Sequence, residues 1–522
     1  MVADMSNAGH GIWRPIAQNV DADALESNVN AVLSVADTVR TTLGPKGLDK
    51  LLVDQAMNRH VSNDGVTILL SLSTVHPVAR MIVEIAERQE QMVGDGTTTA
   101  VVMAAEMIKD GRRLIKELGV HPTKVAEGIE AGVTYACEQL EKESIKVKMG
   151  DPELEQVVRT SLASKLDGAK LSSLVISALR TVGEKAMHDG SYDFDRSIKV
   201  IRKTNVPDTL VNGVVLERRR MDQGMPLEIR DPKIIISKLD LKPVKDAWLK
   251  ENSRYEEILV MEKDRISKSK EIVDAILETG ANVILVASSE VDQNVENMLV
   301  AKRVLAIQIG TDEIEYLSRY TGAKPVRMPE DLKLPNVLGT AGRIYEDEEK
   351  GLVYLEAGLD RNIVTIMVSG TTKETSLERW RAVIDGVNAA EAALNTNVVP
   401  GGGAAELHLV KKLNELRLKG LEQVGLDVVI AALESVMRQI LTNAGFNGLE
   451  KVMAAKASPN GYGIDINTGN PVDMVKAGVL DPLLVKTTAL QAAGEMAKSV
   501  LRIDRNLAAV SLTEEGLVET ER

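Results

Sequence analysis

The chain has 522 residues, 44% hydrophobic and 27% charged, with a formal net charge of −13. That length exceeds one compact core and implies about two to four domains. The acidic balance argues against a polyanion-binding surface, which needs clustered Lys and Arg. Aromatics at 2%, with Phe194 and Phe446 as the only phenylalanines, argue against a stacking platform for single-stranded nucleic acid. Cys137, the only cysteine, lies in the helical-looking stretch GVTYACEQL and reads as a small buried hydrophobe that fits a reducing cytosol. The opening residues MVADMSNAGHGIW lack the basic-then-apolar pattern of a secretory signal. No apolar run approaches the ~18 residues of a membrane span. The expectation is a soluble, cytoplasmic protein.

In chain order, Leu25, Val29, Val32, Val35, Val39 and Leu43 mark one face of a helix over 23–43, with Asp21 or Asp23 as its cap and Gly44-Pro45 as its stop. Lys50–Asp54 reads as a short strand. His60–Ser62 returns antiparallel to it, leaving Asn63-Asp64-Gly65 at a turn. A long Ala-rich helix is predicted over 97–118, opening at Gly94-Asp95-Gly96. Residues 146–214 are mixed and more polar. From 215 to 367 the β-rich runs VNGVVLE, PKIIIS, ANVILVA and RVLAIQI alternate with helical stretches, the pattern of a separate α/β domain. Within it, 242–270 is charged and helix-permissive and reads as a projecting insertion, with Trp248, Leu249, Ile258 and Leu259 its apolar exceptions. Helix resumes over 377–394, followed by the turn Pro400-Gly401-Gly402-Gly403. More helix is predicted over 404–444, then the strand-turn-strand GYGIDINTG, then a last helix ending near Leu501. The two ends share a character that the middle lacks, which suggests a middle domain inserted into a split outer one.

No GxxxxGK[ST], no GxGxxG after a strand, no HExxH and no CxxC is present, so a P-loop, a Rossmann site and a dedicated zinc site are unsupported. What remains is a set of glycine turns beside helix ends or acids. Gly94-Asp95-Gly96-Thr97-Thr98-Thr99 at a helix start suits a phosphate: free backbone N–H groups and the helix dipole favour an anion there. Thr hydroxyls can add hydrogen bonds, and Asp95 offers the carboxylate that Mg²⁺ takes beside phosphates. A capped helix start with a solvated turn is the alternative. Asn63-Asp64-Gly65 alone is a common turn tripeptide, Pro400–Gly403 is either a joint or a close approach to a ligand ring, and Asp385 in WRAVIDGVNAA alone is a solvated helix residue. The residues by themselves point to nucleotide binding and leave hydrolysis open.

The combination is more specific. VRTTLGPKGLDKLLVD (39–54), NDGVTIL (63–69), GDGTTTAVV (94–102), TSLASK (160–165), SGTTKE (369–374), VVPGGGAAE (398–406) and DPLLVKTTAL (481–490) occur in this order. Together they resemble the group II chaperonins, the archaeal thermosomes and eukaryotic cytosolic chaperonins, over nearly the whole chain. The resemblance implies a multidomain α+β fold. It has a mainly helical equatorial ATP-binding domain at 1–145 and 400–522, and a small intermediate α/β hinge domain at 146–214 and 368–399. An apical α/β substrate-binding domain covers 215–367, with a helical lid protrusion at about 242–270.

The resemblance also implies ATP/ADP and Mg²⁺ as cofactors. Leu43, Gly44 and Pro45 match the loop that touches the nucleotide, Asp95 the Mg²⁺ ligand, and Gly96, Thr97, Thr98 and Thr99 the phosphate cradle. Asp64 and Asp385 match the two carboxylates that position and activate the attacking water. Lys165 matches the lysine that senses the γ-phosphate, Gly402 and Gly403 the segment against ribose and base, and Asp465 and Asp481 the contacts to ribose and adenine. The implied partners are identical subunits in stacked double rings and unfolded client proteins, with no separate lid co-chaperonin, nucleic acid or membrane. The C-terminal LTEEGLVETER lacks the Gly-Gly-Met tail of many relatives, Asp481 stands where many have Glu, and the protrusion matches poorly residue by residue. The divergent lid-bearing branch found in some bacteria therefore stays open beside the thermosome-like one.

The function so implied is an ATP-hydrolysing folding machine that encapsulates clients. The alternative is a passive holdase or scaffold ring without turnover, whose signature would be loss of Asp64, Asp95 or Asp385, and all three are present. A small-molecule kinase lacks any visible second-substrate site. Leu299, Val300 and Val304 are candidates for client contact, with core packing as their alternative.

Overall fold

The computed structural model describes residues 12–15, 24–53, 57, 59–72, 76–242, 255–288, 290–360 and 362–510; of 12–15, 255–262 and 507–510 it describes the backbone alone. The proposed caps Asp21 and Asp23, the apolar residues Trp248 and Leu249 and the C-terminal LTEEGLVETER lie outside the described residues. Two compact units emerge, 1–168 with 388–522, and 169–387.

The first unit begins with β1 (Ile12–Pro15), α1 (Ala24–Val39) and the hairpin β2 (Lys50–Val53) and β3 (Arg59–Ser62), paired antiparallel with Lys50 opposite Ser62. Helices α2 (Gly65–Leu70), α3 (Pro77–Val93), α4 (Thr97–Glu117), α5 (Pro122–Glu143) and α6 (Pro152–Ser161) follow. The expected 97–118 helix is α4. Helix α3 was not anticipated, although its marks are local: His76 caps it through Nδ1, Pro77 opens it, and Val78, Ile82, Val83 and Ala86 form a buried stripe.

The second unit opens with α7 (Gly168–Val182), whose first residue still belongs to the first, and a small hairpin β4 (Met187–His188) and β5 (Ser191–Tyr192). Strands β6 (Ile198–Thr204), β7 (Thr209–Val211), β8 (Gly213–Leu216), β9 (Glu228–Arg230) and β10 (Lys233–Ser237) lead to α8 (Tyr255–Glu278), β11 (Val283–Val286), α9 (Gln293–Ala301) and β12 (Leu305–Gln308). Then come α10 (Ile314–Thr321), β13 (Gly339–Thr340), β14 (Arg343–Asp347), β15 (Leu352–Glu356), β16 (Val364–Gly370) and α11 (Lys373–Thr396). The four runs read as β-rich contain β8, β10, β11 and β12. β10, β11 and β12 are parallel, joined through α8 and α9, with β13 antiparallel on the edge. An antiparallel sheet runs β8-β15-β14-β9, and β16 pairs parallel with β6 and antiparallel with β7. Leu299 and Val304 are buried in the core on the parallel sheet, so they pack and do not offer a surface. The last part of α8 is core as well: Ser269, Val273 and Ile276 are buried and Arg265 pairs with Asp292, the cap of α9. The stretch able to project therefore ends earlier than residue 270.

The chain re-enters the first unit within α11, at residue 388, and continues through β17 (Val398–Pro400), α12 (Ala404–Glu415), α13 (Glu422–Asn443), α14 (Gly448–Lys456), β18 (Tyr462–Ile464), β19 (Pro471–Asp473), β20 (Leu480–Pro482), α15 (Leu483–Leu501) and β21 (Leu507–Val510). The stretch expected as continuous helix over 404–444 is thus α12 and α13, broken at Leu416–Leu421. β1 and β21, from the two ends of the sequence, pair antiparallel, as do β17 with β20 and β18 with β19. α4 is the axis of this unit, apolar on nearly every side from Ala100 to Ile108 and packed between α1, α3, α13 and α15. Cys137 is buried on α5, where burial pushes its thiol up to about 11.

Helices α5 and α13 cross at two glycines. A Cβ on Gly128 would stand 2.2 Å from the Glu422 carbonyl oxygen, and one on Gly425 would stand 2.5 Å from that of Val125. Gly128→Ala gains about 1 kcal/mol of helix propensity taken alone. The backbone clash outweighs that gain, and a net loss of roughly 1–3 kcal/mol is expected, read as a lower urea midpoint of unfolding.

Candidate nucleotide site

The corner between α3 and α4 sets the site. Gly94 ends α3 in the left-handed region and Gly96, with φ +80°, caps α4. A Cβ on Gly96 would lie 2.6 Å from Val485 Cγ1, so both backbone and space demand glycine. Thr97, Thr98 and Thr99 then fill the first turn of α4, whose amides have no partner within the helix and carry the positive end of its dipole. Buried Gln89 holds the corner by donating from Nε2 to the Asp95 carbonyl at 2.9 Å and to Thr488 Oγ1 at 3.0 Å. Asp95 Oδ1 accepts from the Gly96 amide at 2.6 Å and its Oδ2 accepts from Ser161 Oγ at 3.3 Å. Burial pushes the Asp95 carboxyl above its usual range; the Gly96 amide, Lys165 and Lys486 pull it down and Asp481 adds to the rise.

Two other segments converge on this corner. Asp64, expected in a turn, is the cap of α2: Oδ2 accepts from the Thr67 amide at 3.1 Å and from Thr67 Oγ1 at 2.5 Å. Its neighbour Gly65 lies against the threonines, where a Cβ would meet Thr98 Oγ1 at 2.5 Å and Thr97 Oγ1 at 3.0 Å. Asn63 donates to the carbonyl of Ser164, the residue before Lys165, at 3.0 Å. The loop Leu43-Gly44-Pro45 is tied to α13 by Asn443, which donates to the carbonyls of Leu43 at 2.8 Å and Arg40 at 2.9 Å. Asp465 turns inward on its own loop, accepting from the Asn467 amide at 2.9 Å and Thr468 Oγ1 at 2.8 Å, which hold its carboxyl below the usual range.

Around these segments lies a cavity of about 630 Å³. Of the predicted residues, Leu43, Gly44, Pro45, Asp95, Gly96, Thr99, Gly402, Asp465 and Asp481 line it. Its apolar lining includes Ile440, Ile464, Val472, Met474 and Val479. Such a space, with a helix N-terminus in one wall and aliphatic side chains in others, has the size and character of a nucleotide pocket. Thr97, Thr98, Lys165, Gly403 and Asp64 are placed beside the lining rather than in it, and Asp385 is half-buried on α11 in the second unit.

Lys486 was missed. Only 8% exposed, it donates to Glu406 Oε1 at 2.7 Å and lies 2.8 Å from Asp481 Oδ2. Burial pulls its pKa down, but Asp481 and Glu406 overcome that and hold it above the usual lysine range. Both partners' motifs, GGGAAE and DPLLVK, were legible as motifs. Nothing local in either says that one lysine joins the first turn of α12 to β20. Among the described residues there is no group of three or more His, Cys, Asp or Glu able to cage a metal. A single carboxylate at a helix N-terminus, raised by burial, instead fits a Mg²⁺ that arrives on phosphate oxygens, with Asp95 as its protein ligand.

Two outcomes follow from these charges. Lys486→Met leaves buried Glu406 and half-buried Asp481 without their cation, and a loss of roughly 3–5 kcal/mol in urea unfolding is expected. Asp95 has the opposite sign. Its folded pKa lies above the unfolded value, so stability falls as the pH rises from the unfolded pKa through the folded one, and the cost is fully present above it. Asp95→Asn is expected to raise the thermal midpoint of nucleotide-free protein at pH 8, with the gain shrinking as the pH falls; a lower midpoint at pH 8 would contradict it.

The sequence profile of the TCP-1/cpn60 chaperonin family matches residues 35–510. A thermosome subunit of Methanocaldococcus jannaschii is 35% identical over 519 residues, covering 95% of this chain and 94% of its own. The thermosome subunit beta of Methanothermobacter thermautotrophicus is 36% identical over 519 residues, again 95% and 94%. The crystal structure of a group III chaperonin in the open state superposes with a TM-score of 0.79 at 28% identity, covering 92% of this chain and 98% of that one. With the multidomain α+β architecture described above, these matches establish that the chain belongs to the TCP-1/cpn60 chaperonin family, on its thermosome-like side.

Proposed function

We propose that the chain is an ATP-hydrolysing subunit of a double-ring chaperonin that encloses unfolded proteins and links Mg-ATP turnover to closure of a built-in lid. The observation that carries this reading is one cavity into which Leu43–Pro45, Asp95, Gly96, Thr99, Gly402, Asp465 and Asp481 are brought from opposite ends of the sequence. On this reading 1–145 and 400–522 form the equatorial domain, 146–214 and 368–399 the intermediate domain, and 215–367 the apical domain that meets clients.

Phosphoryl transfer to water needs positioning and charge neutralisation more than covalent chemistry. The amides and hydroxyls of Thr97–Thr99 bind the phosphates, Asp95 holds the cation that screens their charge, and Lys165 senses the terminal phosphate. Asp64 and Asp385 orient the attacking water and accept its proton. The aliphatic side chains of Ile440, Ile464 and Val479 offer the base a dry wall.

Assembly has its own support. Leu48, Leu51, Val53 and Val61, on and beside the β2–β3 hairpin, are each at least half exposed. An isolated two-stranded hairpin is marginal, and an apolar one with open edges is suited to further strands from a neighbouring subunit. A cytoplasmic location agrees with the lone buried cysteine.

The test is steady-state ATP hydrolysis with Mg²⁺ on particles sized in the same preparation. A large ring that hydrolyses ATP, loses at least about 10²-fold in kcat on Asp64→Ala, and retains ATP binding but not turnover on Asp385→Ala is expected. A ring without hydrolysis would favour a passive holdase, and unchanged turnover in Asp385→Ala would remove that residue from the mechanism.

A further inference from the structure

Among the buried carboxylates of the second unit that the reading above does not use, one ties several segments together. Asp208, in the turn between β6 and β7, has a side chain 2% exposed and four donors around it. The Arg379 guanidinium grips it bidentately, Nη1 to Oδ1 at 3.2 Å and Nη2 to Oδ2 at 2.8 Å. The Ser369 amide, on β16, donates to Oδ1 at 2.8 Å, and Lys170 Nζ lies 2.5 Å from Oδ2. Arg379 Nη1 also donates to the Ser369 carbonyl. One carboxylate thus fastens four segments: the first turn of α7, the β6–β7 turn, the end of β16 and the second turn of α11.

The position of Arg379 on α11 is unusual. Ser376, Ala382, Val383 and Val387 are buried at helical spacing, and Arg379 falls inside that seam, its side chain 7% exposed. An apolar side chain there would serve stability as well or better, because a buried pair must first be stripped of water. What a bidentate pair adds is direction. Guanidinium and carboxylate meet in one plane and fix the rotation and the axial register of the helix. Trp380 adds a second directional bond, from Nε1 to the Val200 carbonyl of β6 at 3.0 Å. Asp385 lies six residues further along the same helix, about 9 Å in rise. Lys170 and Arg379 also lie close to the two places, 168–169 and 387–388, where the chain passes between the units.

We infer that Asp208 and Arg379 are positioning residues: their pair sets the register of α11 and thereby places the Asp385 carboxylate for water activation. This rests on the ATPase reading given above. Lys170, 63% exposed, is the outer arm of the same clamp and holds the start of α7 to it. The pair touches no reacting atom. A displacement of about 1 Å at Asp385 is enough to lower the rate on the order of 10²-fold while leaving nucleotide affinity intact.

The experiment compares kcat and KM for Mg-ATP in assembled wild type, Asp208→Asn, Arg379→Met, Arg379→Lys and Asp385→Ala, with a thermal melt of each and hydrogen exchange over 373–387. The expected result is a fall in kcat of about 10- to 100-fold for Asp208→Asn and Arg379→Met, KM within about twofold of wild type, and faster exchange in 373–387. Arg379→Lys, which keeps the charge but not the fork, falls between. Should the first two variants fail to fold, Arg379→Lys alone decides, because it leaves no buried carboxylate without a cation. A folded clamp variant with wild-type kcat, or with KM raised in step with the loss of kcat, overturns the inference. An inactive wild type, or an active Asp385→Ala, instead overturns the ATPase reading on which it rests.

Discussion

A buried ammonium governs the first unit. Lys486 cannot shed its charge between Glu406 and Asp481, and neither carboxylate has another cation within reach of a hydrogen bond among the described residues. The three therefore have to stay together. Glu406 lies in the first turn of α12, directly after the glycines at 401–403. Asp481 lies on β20, and Lys486 opens α15. Holding them together holds the Gly402 turn to the strand that pairs with β17, and holds α15 where Val485 closes over Gly96. The Gly94–Thr99 corner and the Gly402 turn thus meet in the lining of one cavity, with Lys486 and Asp481 between them. Asp95, a neighbour of this group, is governed chiefly by burial, which Lys165 and Lys486 offset only in part.

The cavity could not be built from one continuous stretch. Its lining runs from Leu43 to Ser164 and from Gly402 to Lys486, and the pairing of β1 with β21 joins the two arms again near the ends of the sequence. A unit closed in this way tolerates a large insertion, since its own core contacts all lie outside residues 169–387. The glycine crossing of α5 and α13 is part of the same closure, because it brings backbone to backbone where the two arms meet.

What could be read from the residues was local geometry. Gly94-Asp95-Gly96 before an Ala-rich stretch identifies a helix start, and Lys50–Val53 with Arg59–Ser62 identifies a hairpin, because each signal sits within a few residues of what it specifies. Asn63-Asp64-Gly65 was half legible. The turn is there, but Asp64 serves it as a helix cap whose hydrogen bonds run to Thr67, a role that i to i+3 spacing allows and a turn tripeptide does not reveal. In the stretch read as an insertion over 242–270, charge could not reveal burial: Ser269 is buried and hydrogen-bonds Asp292, while Arg265 reaches the same carboxylate from a half-exposed position. Lys486 and Arg379 were illegible for a plainer reason. Each is a cation in a largely apolar helical pattern, and Glu406 and Asp208, which draw them inward, lie 80 and 171 positions away.

These two cations share a physical logic. Apolar burial is non-directional and would let a helix slide or rotate by a fraction of a turn at little cost. A site that must place an oxygen within a few tenths of an ångström needs contacts that tolerate no such slip. In each unit such a directional contact is a buried, multiply bonded ion pair near a segment of the proposed site: Lys486 near the Gly94–Thr99 corner and Arg379 six residues before Asp385. Neither is needed to make the helices associate, since α15 and α11 bury ample aliphatic surface. Their cost in desolvation is accepted at the positions where packing alone would leave geometry undetermined. In a chaperonin subunit, whose core is otherwise aliphatic and nearly free of aromatic rings, such charge pairs are the stiffest local references available to the chain.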